Sequence, residues 1–267
     1  MNRIYLGMAA SLLTASACAP ADQSEEIAAL TKRIETLEKS ARRAAPARPR
    51  RPAPDQTYFL PVGPEDPFRG AAAAKVTIVE AYEFACPYCA LIEPMLSKVV
   101  DTYEGTNTVK IVSKQFVVHP NLATEPALAT CAAHKQGKFP AYAEALWKTS
   151  WDVSSGRPRM KREELGRAEL QTLAKTVGLD EKRFAADRDG PACRKKLQQD
   201  RATLARIGVS GTPYLFINGK LYTGGRTFDA LRAAVETEAK RVDAALANGA
   251  TLAGYYDGLM KTAKRSL

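Results

Sequence analysis

The stretch AKVTIVEAYEFACPYCALIEPMLSKVV, Ala74 to Val100, joins two apolar runs of different period through a pair of cysteines. From Ala74 to Phe84, β-branched and aromatic residues dominate and polar ones are few, the pattern of a buried central strand. From Ala90 onward, in ALIEPMLSKVVDTY, the apolar spacing becomes helical. Cys86 therefore falls at a strand-to-helix junction, and Cys89 lies one turn deeper. Backbone N–H groups without partners and the helix dipole favour an anion at a helix N-terminus. A thiolate is the nucleophilic form of cysteine. Cys86 is thus the expected nucleophile, exposed to solvent, and Cys89 the thiol that resolves a mixed disulfide. Pro87 suits the first helical turn, where its missing N–H costs little. A plain crosslink and half of a zinc site are the other readings of the pair. Zinc lacks a second CxxC or a nearby pair of histidines, so no metal and no cofactor beyond the redox pair itself is expected.

Working outward, TVKIVSKQFVV, Thr108 to Val118, reads as a second strand. A mainly helical stretch runs over about residues 121–207. VSGTPYLFINGKLYTGG, Val209 to Gly225, reads as a strand, a turn at Asn218-Gly219 and another strand. TFDALRAAVETEAKRVDAALA supplies a closing helix, and LAGYYDGLMKTAK another.

The order of strand, CxxC, helix, strand, helical insertion and Thr-Pro before a hairpin resembles the DsbA-like branch of the thioredoxin superfamily. The resemblance covers Tyr58 to Ala247. It rests on EFACPYC at a strand end combined with GVSGTPYLFING much later, and on HPNLATEPALATCAAHKQGKF after the second strand. It implies an α/β, thioredoxin-like fold with a helical insertion. It also implies that Glu80 is a buried acid relaying a proton to or from Cys89, its pKa raised by burial. Glu83 is expected to be solvated. The resemblance makes Pro213 the family's cis-proline. There the backbone at Thr212 pairs with an extended substrate chain, with Pro87 and Tyr88 also facing substrate. It implies a structural disulfide between Cys131 and Cys193, the alternative being two buried free thiols. His119 and His134 are given no role. Trp147 and Trp151 are expected in the core or lining a groove.

The direction of the redox reaction is less determined. Strongly oxidising relatives carry His where Tyr88 stands, and isomerases and reductases often have Thr at the Thr212 position. An isomerase or reductase is the favoured expectation, and a disulfide-forming oxidase the alternative. A lipid-anchored spacer or binding module with inert cysteines is the alternative of another class.

The N-terminal quarter has a different composition. Met1-Asn2-Arg3 and the apolar run Ile4–Leu13 read as an export signal over residues 1–17, too short to span a bilayer. Small residues before Cys18 resemble the lipobox of bacterial lipoproteins. Lipidation of Cys18 is expected, the rival being cleavage after Ala-Ser-Ala. One lipidated cysteine leaves four of the five to pair, and export places them where disulfides persist. The expected location is the periplasmic side of a bacterial envelope, with the bilayer reached through Cys18.

Residues 18–40 read as a helical, coiled-coil stalk. Ile27, Leu30, Ile34 and Leu37 form a heptad seam that favours parallel association, so a homo-oligomer is expected, the alternative being a lone amphipathic helix, since two heptads are marginal in water. Residues 41–57 read as a linker. Ala41 to Pro54 holds five Arg, four Pro, five Ala and no acidic residue, a composition that cannot build a core. The net charge of +10 owes much to this segment. No interleaved aromatics or nucleic-acid fold signature accompany it, so anionic lipid headgroups are the better partner and nucleic acid is not expected. Residues 58–247 form the expected catalytic domain, followed by a C-terminal helix over 248–267. The expected partners are unfolded or misfolded exported proteins and a membrane redox partner of unknown identity.

Overall fold

The structure is a computed structural model that describes residues 21–44 and 51–267. The signal segment 1–17, Cys18 and linker residues 45–50 lie outside the described residues. The chain divides into two units, Met1–Arg48 and Pro49–Leu267. In the first, helix α1 spans Ala21–Ala44. It runs past residue 40, where the linker was expected to begin, because Ala41, Arg42, Arg43 and Ala44 are good helix formers. Its seam residues Ile27, Leu30, Ile34 and Leu37 are all exposed, at 52–63 %. Among the described residues, no helix is long and apolar enough to cross a membrane.

The second unit is built on a five-stranded sheet in the order β1-β3-β2-β6-β7. These strands are β1 (Phe68–Gly70), β2 (Val76–Tyr82), β3 (Val109–Gln115), β6 (Tyr214–Ile217) and β7 (Lys220–Leu221). Central β2 is parallel to β3 and antiparallel to β6. Helix α2 (Pro87–Thr102) makes the β2–β3 crossover. Alternation along β2 sorts its side chains onto two faces. Val76 and Ile78 pack with Ile92, Leu96 and Val99 of α2 and with Leu231 and Val235 of α8 (Phe228–Ala247). Val79 and Ala81 pack on the opposite face with Tyr58, Leu60 and Phe216. Glu80 shares the parity of Val76 and Ile78 and so lies on the face covered by α2.

The insertion comprises α3 (Pro120–Lys135), α4 (Phe139–Ser150), α5 (Arg167–Thr176), α6 (Glu181–Asp189) and α7 (Pro191–Arg206). A small hairpin of β4 (Trp151–Asp152) and β5 (Arg159–Met160) lies within the mainly helical stretch. The β6–β7 turn has Asn218 at φ 44° and Gly219 at φ 82°, the left-handed pair that a two-residue hairpin requires. A Cβ on Gly219 would also lie 2.8 Å from Thr57.

Two boundaries differ from expectation. The end of the linker is part of the domain: Pro52 is buried, and the Ala53 N–H donates to the Tyr58 hydroxyl at 2.7 Å. The C-terminal helix α9 (Leu252–Thr262) closes the same core, with Met260 buried and the Tyr256 hydroxyl donating to the Leu60 carbonyl at 2.7 Å. Composition alone could not show that a Pro-rich segment finds apolar surface to cover.

Candidate active site

Cys86 is the N-cap of α2, in extended backbone, and its sulfur accepts the Cys89 N–H at 3.4 Å. Both are free thiols. Hydrogen bonding from the Cys89 thiol is the largest cause that lowers the Cys86 pKa from 9.0 to about 6. Burial opposes it, while the Thr212 side chain and the backbone N–H groups of Cys89 and Tyr88 assist. Burial pushes Cys89 well above the usual thiol value, and the charges of Cys86 and Glu80 push the same way. The two thiols thus differ in kind: the outer one ionises readily and the inner one resists.

The Thr212–Pro213 bond is cis, and the loop it shapes lies over the outer sulfur. Cys86 donates to the Thr212 carbonyl at 3.4 Å. As a result Cys86 is only 4 % exposed, not the open nucleophile expected from its place at a helix end. Tyr88 next to it is 61 % exposed. Sequence spacing placed the sulfur at the surface of the helix but could not show the loop that covers it.

Glu80 is buried in β2, with Arg69 of β1 at 3.9 Å. Arg69 donates two hydrogen bonds to Glu93 of α2 and one, at 3.0 Å, to Ser97. Two carboxylates therefore face one guanidinium. Burial, then the Glu93 charge, raise the Glu80 pKa from 4.5 to about 8; Arg69 only partly offsets them. Glu80 Oε1 and Arg69 Nε are buried without a hydrogen-bond partner, so the cluster keeps unused donor and acceptor capacity. Sequence reasoning missed both neighbours of Glu80. Glu93 was legible, since it sits four residues after Cys89 on the same helical face. Arg69, on a three-residue edge strand, left no signal.

Glu83 corrects another expectation. It is fully buried, not solvated. Its carboxylate accepts the backbone N–H of Val118 at 2.6 Å and of His119 at 2.9 Å, and also meets His119 Nδ1. It thereby supplies acceptors at the start of α3, whose own N-cap makes no side-chain bond. His119 belongs to this link between the active-site loop and the insertion. His134 is apart from it, bonded to the Pro64 carbonyl.

The insertion packs directly behind the thiols. Trp151 Nε1 donates to the Phe84 carbonyl at 2.8 Å, and the Phe84 and Trp147 rings lie 4.5 Å apart. Cys131 of α3 and Cys193 of α7 are joined in a disulfide. Among the described residues, no cluster of His, Cys, Asp or Glu could hold a metal ion. A paired acidic and resistant thiol, a buried acid with a raised pKa and a cis-proline loop against the outer sulfur together suit thiol-disulfide exchange.

The family described as thioredoxin matches residues 63–237. The chain is 34 % identical over 181 residues to the Na(+)/H(+) antiporter NhaA 3 of Salinispora tropica, covering 66 % of this chain and 25 % of that protein. It spans only about a quarter of the length of the curated relatives it matches. Among solved structures, a thioredoxin-like oxidoreductase from Silicibacter pomeroyi is 24 % identical with a TM-score of 0.53, covering 71 % of this chain and 95 % of that one. BdbD from Bacillus subtilis is 19 % identical with a TM-score of 0.57, covering 72 % and 100 %. These two structural likenesses concern the fold.

Proposed function

The chain belongs to the thioredoxin family, and on that premise we propose that it exchanges thiols and disulfides in exported proteins through Cys86 and Cys89. The observation that carries this reading is the outer thiol, acidic at a helix N-terminus and lying against a cis-proline loop. In the reducing direction, the Cys86 thiolate attacks a substrate disulfide, forms a mixed disulfide and expels one substrate thiolate. Cys89 then loses its proton, with Glu80 the acceptor, and attacks the Cys86 sulfur. The second substrate thiolate leaves, and two electrons have passed from the cysteine pair to the substrate. In the oxidising direction every bond change reverses, and protonated Glu80 returns the proton to Cys89 as it leaves.

Tyr88 and Thr212 support the isomerase or reductase direction, since Tyr88 brings no positive charge to hold the thiolate. The alternative, a disulfide-forming oxidase, is favoured by the hydrogen bond that the Cys89 N–H donates to the Cys86 sulfur, one of the contacts that lower its pKa and so stabilise the reduced pair. Equilibration of the full chain with glutathione separates them. A potential near about −270 mV is expected of a reductase and one near about −120 mV of an oxidase. A pair that never exchanges leaves only the inert spacer.

The setting is part of the proposal. The apolar start, Cys18 and the Cys131–Cys193 disulfide support a periplasmic enzyme tethered by lipid. Its substrates are then unfolded or misfolded exported proteins, and a membrane protein resets the redox pair. The exposed α1 seam supports a homo-oligomer. Sedimentation of the full chain with and without Ile34→Asp tests this; two monomers would end the idea.

A further inference from the structure

Beside the cis-proline loop, on the domain surface, opens a cavity of about 460 Å³. Thr212 and Pro213 form one wall, Tyr214 and Tyr222 contribute rings, and two cations, Arg51 and Arg226, line it. No carboxylate is among its lining residues. Both arginines are exposed, and among the described residues neither takes part in an ion pair.

Each arginine is held by local structure. Arg51 precedes buried Pro52, and the Ala53 N–H bond to Tyr58 pins the backbone there. Arg51 comes from the basic segment that composition assigned to a linker. Arg226 ends the turn after β7. The Tyr222 hydroxyl donates to the Gly225 carbonyl at 2.7 Å, and its ring would lie 2.6 Å from a Cβ on Gly224. Thr227, the next residue, caps α8. Only glycine at position 224 lets the ring close over this turn, so the backbone carrying Arg226 is fixed on both sides.

We infer that this cavity is a subsite for an acidic side chain close to the substrate cysteine. The inference rests on the reading of Cys86 as the thiol that attacks substrate. Thr212 both touches the Cys86 sulfur and lines the cavity. A chain joined to Cys86 that follows the loop in extended form advances about 3.3 Å per residue. It reaches the cavity within roughly two or three residues of its cysteine. Two guanidinium groups without counter-charge attract an anion there, and each can grip a carboxylate with two parallel hydrogen bonds. Adjacency to the reactive sulfur favours a protein carboxylate over a lipid phosphate as the occupant.

The test uses the reduced full chain and glutathionylated cysteine peptides blocked at both ends. They carry Glu, Gln or Lys two residues before or after the cysteine, so the side chain is the only variable charge. Single-turnover reduction is expected to be faster for Glu than for Gln by about fivefold in one of the two positions, and slowest for Lys. The Glu/Gln ratio should fall towards one in Arg51→Gln/Arg226→Gln and in high salt. Equal rates for the three peptides would overturn the inference and leave the redox reading intact. A Glu preference that survives the double substitution would overturn it too. Failure to react with any peptide would sink the redox reading and the subsite together. Loss of binding to phosphatidylglycerol vesicles in the double variant, with equal peptide rates, would assign the arginines to lipid instead.

Discussion

Two buried charge clusters flank the sheet of the catalytic domain, and they are built on opposite plans. Asp66, Lys114, Asp200 and Lys196 form a balanced set of two acids and two bases. Burial pushes Asp66 up, but the Lys114 and Lys196 charges outweigh it and hold the carboxyl low. Burial would lower Lys196, and Asp200 and Asp66 outweigh it in turn. None of the four carries a buried polar atom without a partner. Glu80, Arg69 and Glu93 form the other set, two acids on one base, with orphaned atoms on Glu80 and Arg69. Burial still raises the Asp200 pKa despite Lys196 and Lys114, but the charges are equal in number and every side-chain polar atom is partnered, so this cluster acts as a clamp. The unbalanced one leaves a carboxyl whose proton can come and go near pH 8. Its charge reaches Cys89, whose pKa it helps to raise.

The largest effect should come from unbalancing the clamp. Lys114→Met would leave Asp66 and Asp200 buried with Lys196 alone. Breaking a buried ion pair from one side costs about 3–5 kcal/mol. Urea denaturation should show that loss, while the ionisation of Cys86, followed by thiolate absorbance, keeps its midpoint. A Cys86 midpoint that moved with the clamp would mean that the two clusters are one system, and the contrast would fail.

The contrast also marks what could be read from sequence. The β2–α2 junction was legible, because a continuous apolar run ends in CxxC and a helical period begins. Glu80 was placed by resemblance, and the alternation of β2 shows why it points beneath α2. Glu83 was misjudged, since one polar residue past a strand gives no sign of the Val118 and His119 N–H groups it satisfies. The end of the basic linker was misjudged for a similar reason: burial of Pro52 depends on a surface made by distant residues. Arg69 and Asp66 are charges in a loop-rich stretch without periodic pattern, and only the fold brings them to Glu93 and Lys114. Local periodicity reveals which face is apolar, but long-range charge pairing has no period to reveal it.

A smaller effect, but a more diagnostic one, is expected from Glu80→Gln. The Glu80 pKa is raised from 4.5 to about 8 in the fold. Between those values the folded chain keeps a proton that the unfolded chain has lost, so stability falls as pH rises. The slope approaches about 1.4 kcal/mol per pH unit. The Cys86 pKa, lowered from 9.0 to about 6, acts oppositely in the reduced protein: stability rises between pH 6 and 9. From pH 5 to 6 Cys86 contributes little, and Asp200, also raised by burial, adds a slope of the same sign to both proteins, so the difference between wild type and variant reports Glu80. Denaturation of the reduced protein should show a shallower downward slope there in Glu80→Gln. The substitution should also slow Cys89 attack on the mixed disulfide. An unchanged slope would mean that Glu80 is ionised in the fold and that the cluster is not unbalanced after all.

The finest test changes the balance without emptying the site. Glu93→Gln keeps one acceptor for Arg69 and Ser97 but removes one negative charge and the second acceptor of Arg69. The Glu93 charge is the second cause, after burial, of the raised Glu80 pKa. With it gone, Arg69 has a single acid to answer, and Glu80 should ionise at lower pH by about one unit or more. The pH profile of the resolving step should shift down by the same amount, and the Cys86 titration should barely move, since Glu93 is not among its causes. Global stability should fall only modestly, because one Arg69 bond is lost while the set becomes one acid on one base. A resolving step that merely slowed, with its pH midpoint fixed, would make Glu93 a packing residue and leave burial alone responsible for Glu80. A shifted midpoint would show that the active site, unlike the clamp, works through a charge left deliberately unpaired.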